Sequence, residues 1–487
     1  MAPRFLPTLV LAALLALGLV RTAAAQTAEA VVAEAARTLG IDGLDAIRLY
    51  GSGASYTVGQ NNNAEGPWPR TNLNDFNRWI DFTQPATRAT AVTWAVPVQG
   101  GAAAQGAYNQ YAGPQSPWSQ ALELWTTPWG FLKGAQANGA TLSRETADGV
   151  AYRVLTWSPA QRSPGGQPYK VVGYIGADGL VHRVDTWIEN PIFGDLAVET
   201  TFADWRELDG LRFPSTITQK RAGWPTFEVQ LLGVQANPAD IAERAVAPIQ
   251  TAPVPPAPAP GAAPPPASEQ LAPGVWRIRG AYNALAVEFA DYVVLFEPGP
   301  QNEARGKAVI AETRRVIPGK PIRYGVISHH HFDHTGGLSA VVAEGITIVT
   351  PKVNERFLET ALSAPRTLAP DAIAASGRQP VVEGFDGDLR VFEDATRRFE
   401  IHVIKGLPHA DGLVVGYLPN ERILVYADMF NLPPADRPVP DPPVVGTQVF
   451  LANIERLGLA PERIMSVHSL NPDRLTSVAD IRASLGR

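Results

Sequence analysis

Residues 247–273 constrain the fold most, because they divide the chain. From Ala247 to Pro266 the sequence is dominated by proline and alanine. Proline lacks the backbone N–H that helices and sheet interiors use, so such a run is extended polyproline II, a semi-rigid spacer rising ~3.1 Å per residue. The two flanks differ in character. Of eleven tryptophans, only Trp276 follows the linker; of eight histidines, only His182 precedes it. The chain is thus read as residues 1–25, a first domain over 26–246, a linker over 247–273 and a second domain over 274–487.

Residues 1–25 read as a secretory signal, with Arg4, an apolar run from Leu6 to Val20, and Ala23-Ala24-Ala25 as the cleavage site. The apolar run is short for a bilayer span, and no later segment is long and apolar enough to make one. The expected location is the periplasm or the exterior, after cleavage near Ala25. The net charge is −6, two units more negative once Arg4 and Arg21 are removed, and no basic run occurs. That argues against nucleic acid as a partner. With no cysteine, disulfides, thiolate ligands and a cysteine nucleophile are excluded.

The first domain opens on a helix from Thr27 to Leu39. Strands follow at 150–157, 169–175, 181–187 and 198–205, with Asp-Gly turns between several of them, then at 215–221 and 226–232. This predicts one large antiparallel sheet in an α+β domain. The pattern resembles the outer-membrane lipoprotein carrier fold. That resemblance implies an apolar concavity for a lipid or envelope partner. An accessory domain whose tryptophans fill a core is the plainer alternative. His182 reads as a surface or hydrogen-bonded residue.

The second domain is built around Ser328-His329-His330-His331-Phe332-Asp333-His334. A strand at 322–327 precedes this cluster and a helix at 335–344 follows it, so it occupies a strand-to-helix loop, where α/β sheets place their chemistry. Imidazole and carboxylate together suit zinc, and also iron or manganese. Strands and helices then recur to residue 485 as two meanders between helices, an α/β layered arrangement.

His329-x-His331-x-Asp333-His334 resembles the H-x-H-x-D-H signature of the metallo-β-lactamase superfamily. The resemblance extends over about 274–487, through His409 after a strand, Asp428 at a strand end and His468 after a short strand. It implies a four-layered αββα sandwich with two divalent ions. His329, His331 and His409 would hold one ion, and Asp333, His334 and His468 the other. Asp428 would bridge them. Zinc is the first expectation, with iron or manganese as alternatives. His330 and His402 are expected to be structural.

The lack of cysteine and the aspartate at position 428 turn the resemblance toward the glyoxalase II, lactonase and phosphodiesterase branches. The implied activity is an exported dinuclear hydrolase that uses a metal-activated hydroxide on an ester, lactone, amide or related bond of a small molecule, with Asp333 in a catalytic role. Two alternatives stay open: an iron-dependent redox enzyme on the same scaffold, and an envelope lipid- or partner-binding protein with an auxiliary metal domain. The loops Asn431–Val445 and Ser363–Gln379, and Tyr282-Asn283, are candidates for shaping the substrate site.

Overall fold

A computed structural model describes residues 26–95, 103–246, 267–433, 439 and 442–487. Residues 1–25, where a secretory signal is expected, most of the linker and the centre of the Asn431–Val445 loop lie outside these residues.

The first helix, Ala28–Leu39, is set by its ends. The Thr27 side chain accepts the Ala30 N–H, and Gly40 closes the helix in the left-handed conformation. An eleven-stranded antiparallel sheet follows. Its first strand, Ala46–Tyr56, lies mid-sheet, between the second strand, Arg70–Asp81, and the last, Trp224–Ala236. The loop joining the first two strands therefore leaves the sheet from its interior, at the third and fourth of eleven strands. Helices Ala28–Leu39, Trp118–Trp125 and Pro128–Ala137 pack on one face. Trp118, Trp129 and Phe131 are fully buried there. Aromatic side chains thus fill this face, and the structure does not bear out the lipoprotein-carrier likeness or give support to a lipid partner.

The second unit has four layers. A seven-stranded and a five-stranded sheet face one another across Val294, Phe296, Phe399 and Val425. Helices Glu303–Val316, Leu338–Ala343 and Lys352–Leu362 cover the first sheet. Helices Val445–Arg456 and Val478–Ser484 cover the second. This is the expected αββα sandwich. It begins earlier than the linker boundary suggests: Ser268–Ala272 is a strand paired with Val275–Ile278. Leu271 drops into the inter-sheet core, which is reason enough for the chain to order there. Among the described residues no helix is long and apolar enough to cross a membrane.

The two units share a packed interface. Ala64 and Ile192 of the first are buried in the core beneath the first sheet of the second, and Leu368 of the second is buried in the core of the first. Phe193 meets Phe332 and Phe357 edge-on, at 5.6 and 5.7 Å between ring centres. The Ser363–Gln379 loop belongs to this interface. Asp195 accepts the backbone N–H groups of Thr367 and Leu368 at 2.9 and 2.8 Å. The buried Arg366 guanidinium donates to the carbonyls of Pro191 and Ile192 at 3.0 and 2.7 Å and pairs with Asp371. Arg366→Ala leaves those acceptors unpaired. It should lower stability by roughly 2–3 kcal/mol, read as an earlier urea midpoint of the full chain.

Candidate metal centre

Each of the seven residues sits in a loop or one-turn helix that follows a strand. The strand Ile322–Val326 delivers Ser328 to His331. Asp333 and His334 then ride a one-turn helix, Phe332–Thr335, and a second helix runs over Leu338–Ala343. Gly336 and Gly337 separate the two, so the helix expected from residue 335 begins at Leu338, and part of the expected loop is itself a helical turn. A Cβ at these glycines would stand 2.2 Å from the Gln301 carbonyl oxygen and 2.5 Å from that of Asn302. The break lets that backbone pass. Asp428 follows the strand Ile423–Tyr426 and His468 follows Arg463–Ser466. These two strands are parallel neighbours, which places both residues on one rim.

The structure brings all seven together. His329, His331, His409 and Asp428 form one group able to surround a cation. Asp333, His334, Asp428 and His468 form a second, and Asp428 belongs to both. Asp428 Oδ2 lies 3.1 Å from His329 Nε2, 3.1 Å from His334 Nε2 and 3.0 Å from His409 Nε2. Its Oδ1 lies 2.5 Å from His468 Nε2. The residue adopts φ +59°, a conformation costly for a side chain other than glycine, and such residues gather at functional sites.

The donor set fits metal. His329 and His409 present Nε2 atoms 3.3 Å apart, as do His334 and His468. Nitrogens bound at ~2.0–2.1 Å to one tetrahedral zinc stand roughly 3.3–3.4 Å apart. Burial, with the charge on His334, holds His329 well below the ordinary imidazole range. Burial pushes His331 down to about 3. Both are therefore neutral and offer a lone pair. Burial opposes charge on His334, but Asp428 and Glu297 outweigh it and keep this histidine well above the usual range. Burial also opposes charge on Asp428; His334 and the bonds from His329 and His409 hold its carboxyl well below the usual range.

Partners outside the seven fix the ring orientations, and sequence reasoning missed Glu297, Gln60 and Asn61 among them. Fully buried Glu297 accepts the Ser328 N–H at 2.7 Å and His334 Nδ1–H at 3.0 Å. Its φ is +62°. Its only signal is an acid between a buried strand and Pro298-Gly299-Pro300. His329 Nδ1 pairs with Ser328 Oγ at 3.0 Å. Tyr282, a candidate from the sequence, donates its hydroxyl to Asp333 Oδ2 at 3.0 Å and lies against His468, 4.4 Å between ring centres. Two more partners come from the first domain. Gln60 Nε2 donates to Asp333 Oδ1 at 2.8 Å. The Asn61 carbonyl accepts from His330 Nε2 at 2.8 Å and His331 Nε2 at 2.9 Å. These polar loop residues lie some 270 positions away, with no sequence signal linking them to the site.

His330 is buried but outside both groups. His402 bonds Glu400 at 2.9 Å and His182 bonds Asp178 at 3.0 Å; all three behave as structural residues. The site opens on one side only. The side chains of Asp333 and His468 are 31% and 33% exposed, whereas that of His329 has no exposure.

A metallo-β-lactamase-type sandwich with a divalent-metal-type His/Asp cluster is the class this geometry defines. Residues 277–468, within the C-terminal unit, match the model of the metallo-beta-lactamase superfamily. No curated protein matches the chain. Similar solved structures include a metallo-beta-lactamase from Pontibacter korlensis, 18% identical, covering 45% of this chain and 97% of that one, TM-score 0.33. One from Hirschia baltica is 17% identical, with 46% and 97% covered and a TM-score of 0.32. FIM-1 from Pseudomonas aeruginosa, in its mono-zinc form, is 18% identical, with 46% and 94% covered and a TM-score of 0.32. Superfamily and cluster together support a metal-dependent hydrolase in general.

Proposed function

We propose that the chain is an exported dinuclear metallohydrolase acting on an ester, lactone, amide or related bond of a small molecule. One observation carries the dinuclear reading: a single carboxylate, Asp428, is shared by two four-residue groups. His329, His331 and His409 would hold the first ion. Asp333, His334 and His468 would hold the second, and zinc suits this all-nitrogen-and-oxygen set. When bound, two such ions supply a water acidic enough to ionise near neutral pH and positive charge for the substrate oxygen. The chain's own residues do the positioning. Tyr282 and Gln60 each hold one oxygen of Asp333, which fixes this carboxylate on the exposed side where a substrate enters. Buried His329, His331 and His409 keep water from the far side. Export rests on the apolar run Leu6–Val20 and the alanines before Gln26.

Elemental analysis of the purified mature chain should find close to two divalent ions. A panel of esters, lactones, β-lactams and phosphodiesters should reveal hydrolysis that a chelator removes. Asp333→Ala should abolish turnover with the fold retained. Fewer than one ion, with no turnover across the panel, would sink the reading.

A further inference from the structure

The loop of residues 57–69, between the first two strands of the N-terminal sheet, lies across the metal cluster of the other domain. Gly59 makes the approach possible. Its φ is +83°, and a Cβ there would stand 2.3 Å from the Phe332 ring. Its carbonyl accepts the Phe332 N–H at 3.2 Å, and Trp68 packs edge-on against the same ring. The next three residues each make a different contact with the site. Gln60 reaches Asp333, and the Asn61 carbonyl takes both His330 and His331. Asn62 reaches the opposite wall, donating to the Pro408 carbonyl at 3.0 Å and accepting the Asp411 N–H at 2.7 Å. One short segment thus ties the loop bearing His329–His334 to the loop bearing His409.

These bonds have chemical consequences. A carbonyl only accepts, so His331 must carry its proton on Nε2. Its Nδ1 is then the unprotonated atom; it is buried and has no partner among the described residues. That is the lone pair a cation needs. Such outer partners fix ligand tautomer and orientation, and their loss typically costs 10–100-fold in metal affinity.

We propose that Gly59–Asn62 complete the metal centre from the neighbouring domain, with the Asn61 carbonyl setting the His331 tautomer and Gln60 acting as a positioning residue for Asp333. The proposal rests on the dinuclear reading. On it, the N-terminal sheet is a structural part of the site rather than an accessory module, and the packed interface exists to hold this loop in register.

The test is zinc titration of the full-length mature chain against a chromophoric chelator. Gln60→Met keeps the side chain's length and removes its donor. It should raise the dissociation constant of one of two zinc ions by roughly tenfold or more, with the melting temperature of the zinc-free chain unchanged. Glu65→Ala, which breaks the exposed Glu65–Arg356 pair on the same interface, should titrate like the parent. Gly59→Val should lift the loop from Phe332 and weaken both ions. Parental zinc affinity in both Gln60→Met and Gly59→Val would overturn the proposal. A parent chain that binds no zinc would instead defeat the dinuclear reading beneath it.

Discussion

Asp428→Asn is expected to abolish hydrolysis and to leave a chain that cannot hold two ions together. The argument is electrostatic. One carboxylate stands within 3.1 Å of the Nε2 atoms of His329, His334 and His409, and its second oxygen meets His468. It is the only acid common to both groups. The other acid in the set, Asp333, contributes to one group alone. Two dications brought together repel strongly, and a shared negative charge is what permits their approach. Asparagine keeps the shape and removes the charge. It also offers an NH2 group where imidazole lone pairs converge. Turnover should fall at least about a thousandfold, equivalent to about 4 kcal/mol of transition-state stabilisation. Metal content should drop from near two ions to one or fewer. Both are read from elemental analysis and kcat/KM on the same preparation. Parental metal content in this variant would mean that Asp428 does not bridge.

Much of the C-terminal architecture was legible because its signals are local. The strands are apolar runs, and four of the seven candidate ligands fall within six residues. Of the remaining three, Asp428 and His468 lie just past strand ends and His409 lies in the loop between two strands. What was not legible depends on distance or on weak propensity. Ala104-Gln-Gly-Ala-Tyr-Asn-Gln-Tyr-Ala112 forms a strand although its alanine, glycine and asparagine disfavour one; cross-strand pairing along Ala86–Ala95 overrides the preference. Ser268–Ala272 hides behind the prolines before it. Asn61-Asn62-Asn63 is a short polar run, and nothing in its sequence reports that Asn61 is almost fully buried against histidines of another domain. The division at the linker is real for the chain's composition but not for the site, which draws on both sides of it.

Glu297→Gln separates a structural role from a chemical one at a position the sequence did not mark. Glu297 Oε1 accepts the Ser328 N–H at 2.7 Å and Oε2 accepts His334 Nδ1–H at 3.0 Å. Glutamine is the same size and keeps an acceptor for Ser328, so the strand-to-helix loop should hold its path. The substituted NH2 then faces His334 Nδ1. Two donors cannot share that contact, so the neutral imidazole that a metal requires would keep its proton on Nε2 instead of Nδ1. Nε2 is the atom aimed at Asp428, 3.1 Å away, and a protonated nitrogen cannot bind a metal. The second ion should therefore weaken by roughly 10–100-fold, while the group of His329, His331 and His409, which Glu297 does not touch, keeps its own. Glu297→Ala removes both acceptors from a fully buried site and should in addition destabilise the zinc-free chain by roughly 3 kcal/mol. Zinc titration paired with urea denaturation distinguishes the variants: glutamine changes the first measurement, and alanine changes both. If glutamine leaves both zinc affinities at parental values, Glu297 serves the fold alone, and the orientation of His334 is set by Asp428 and Asp333 without it.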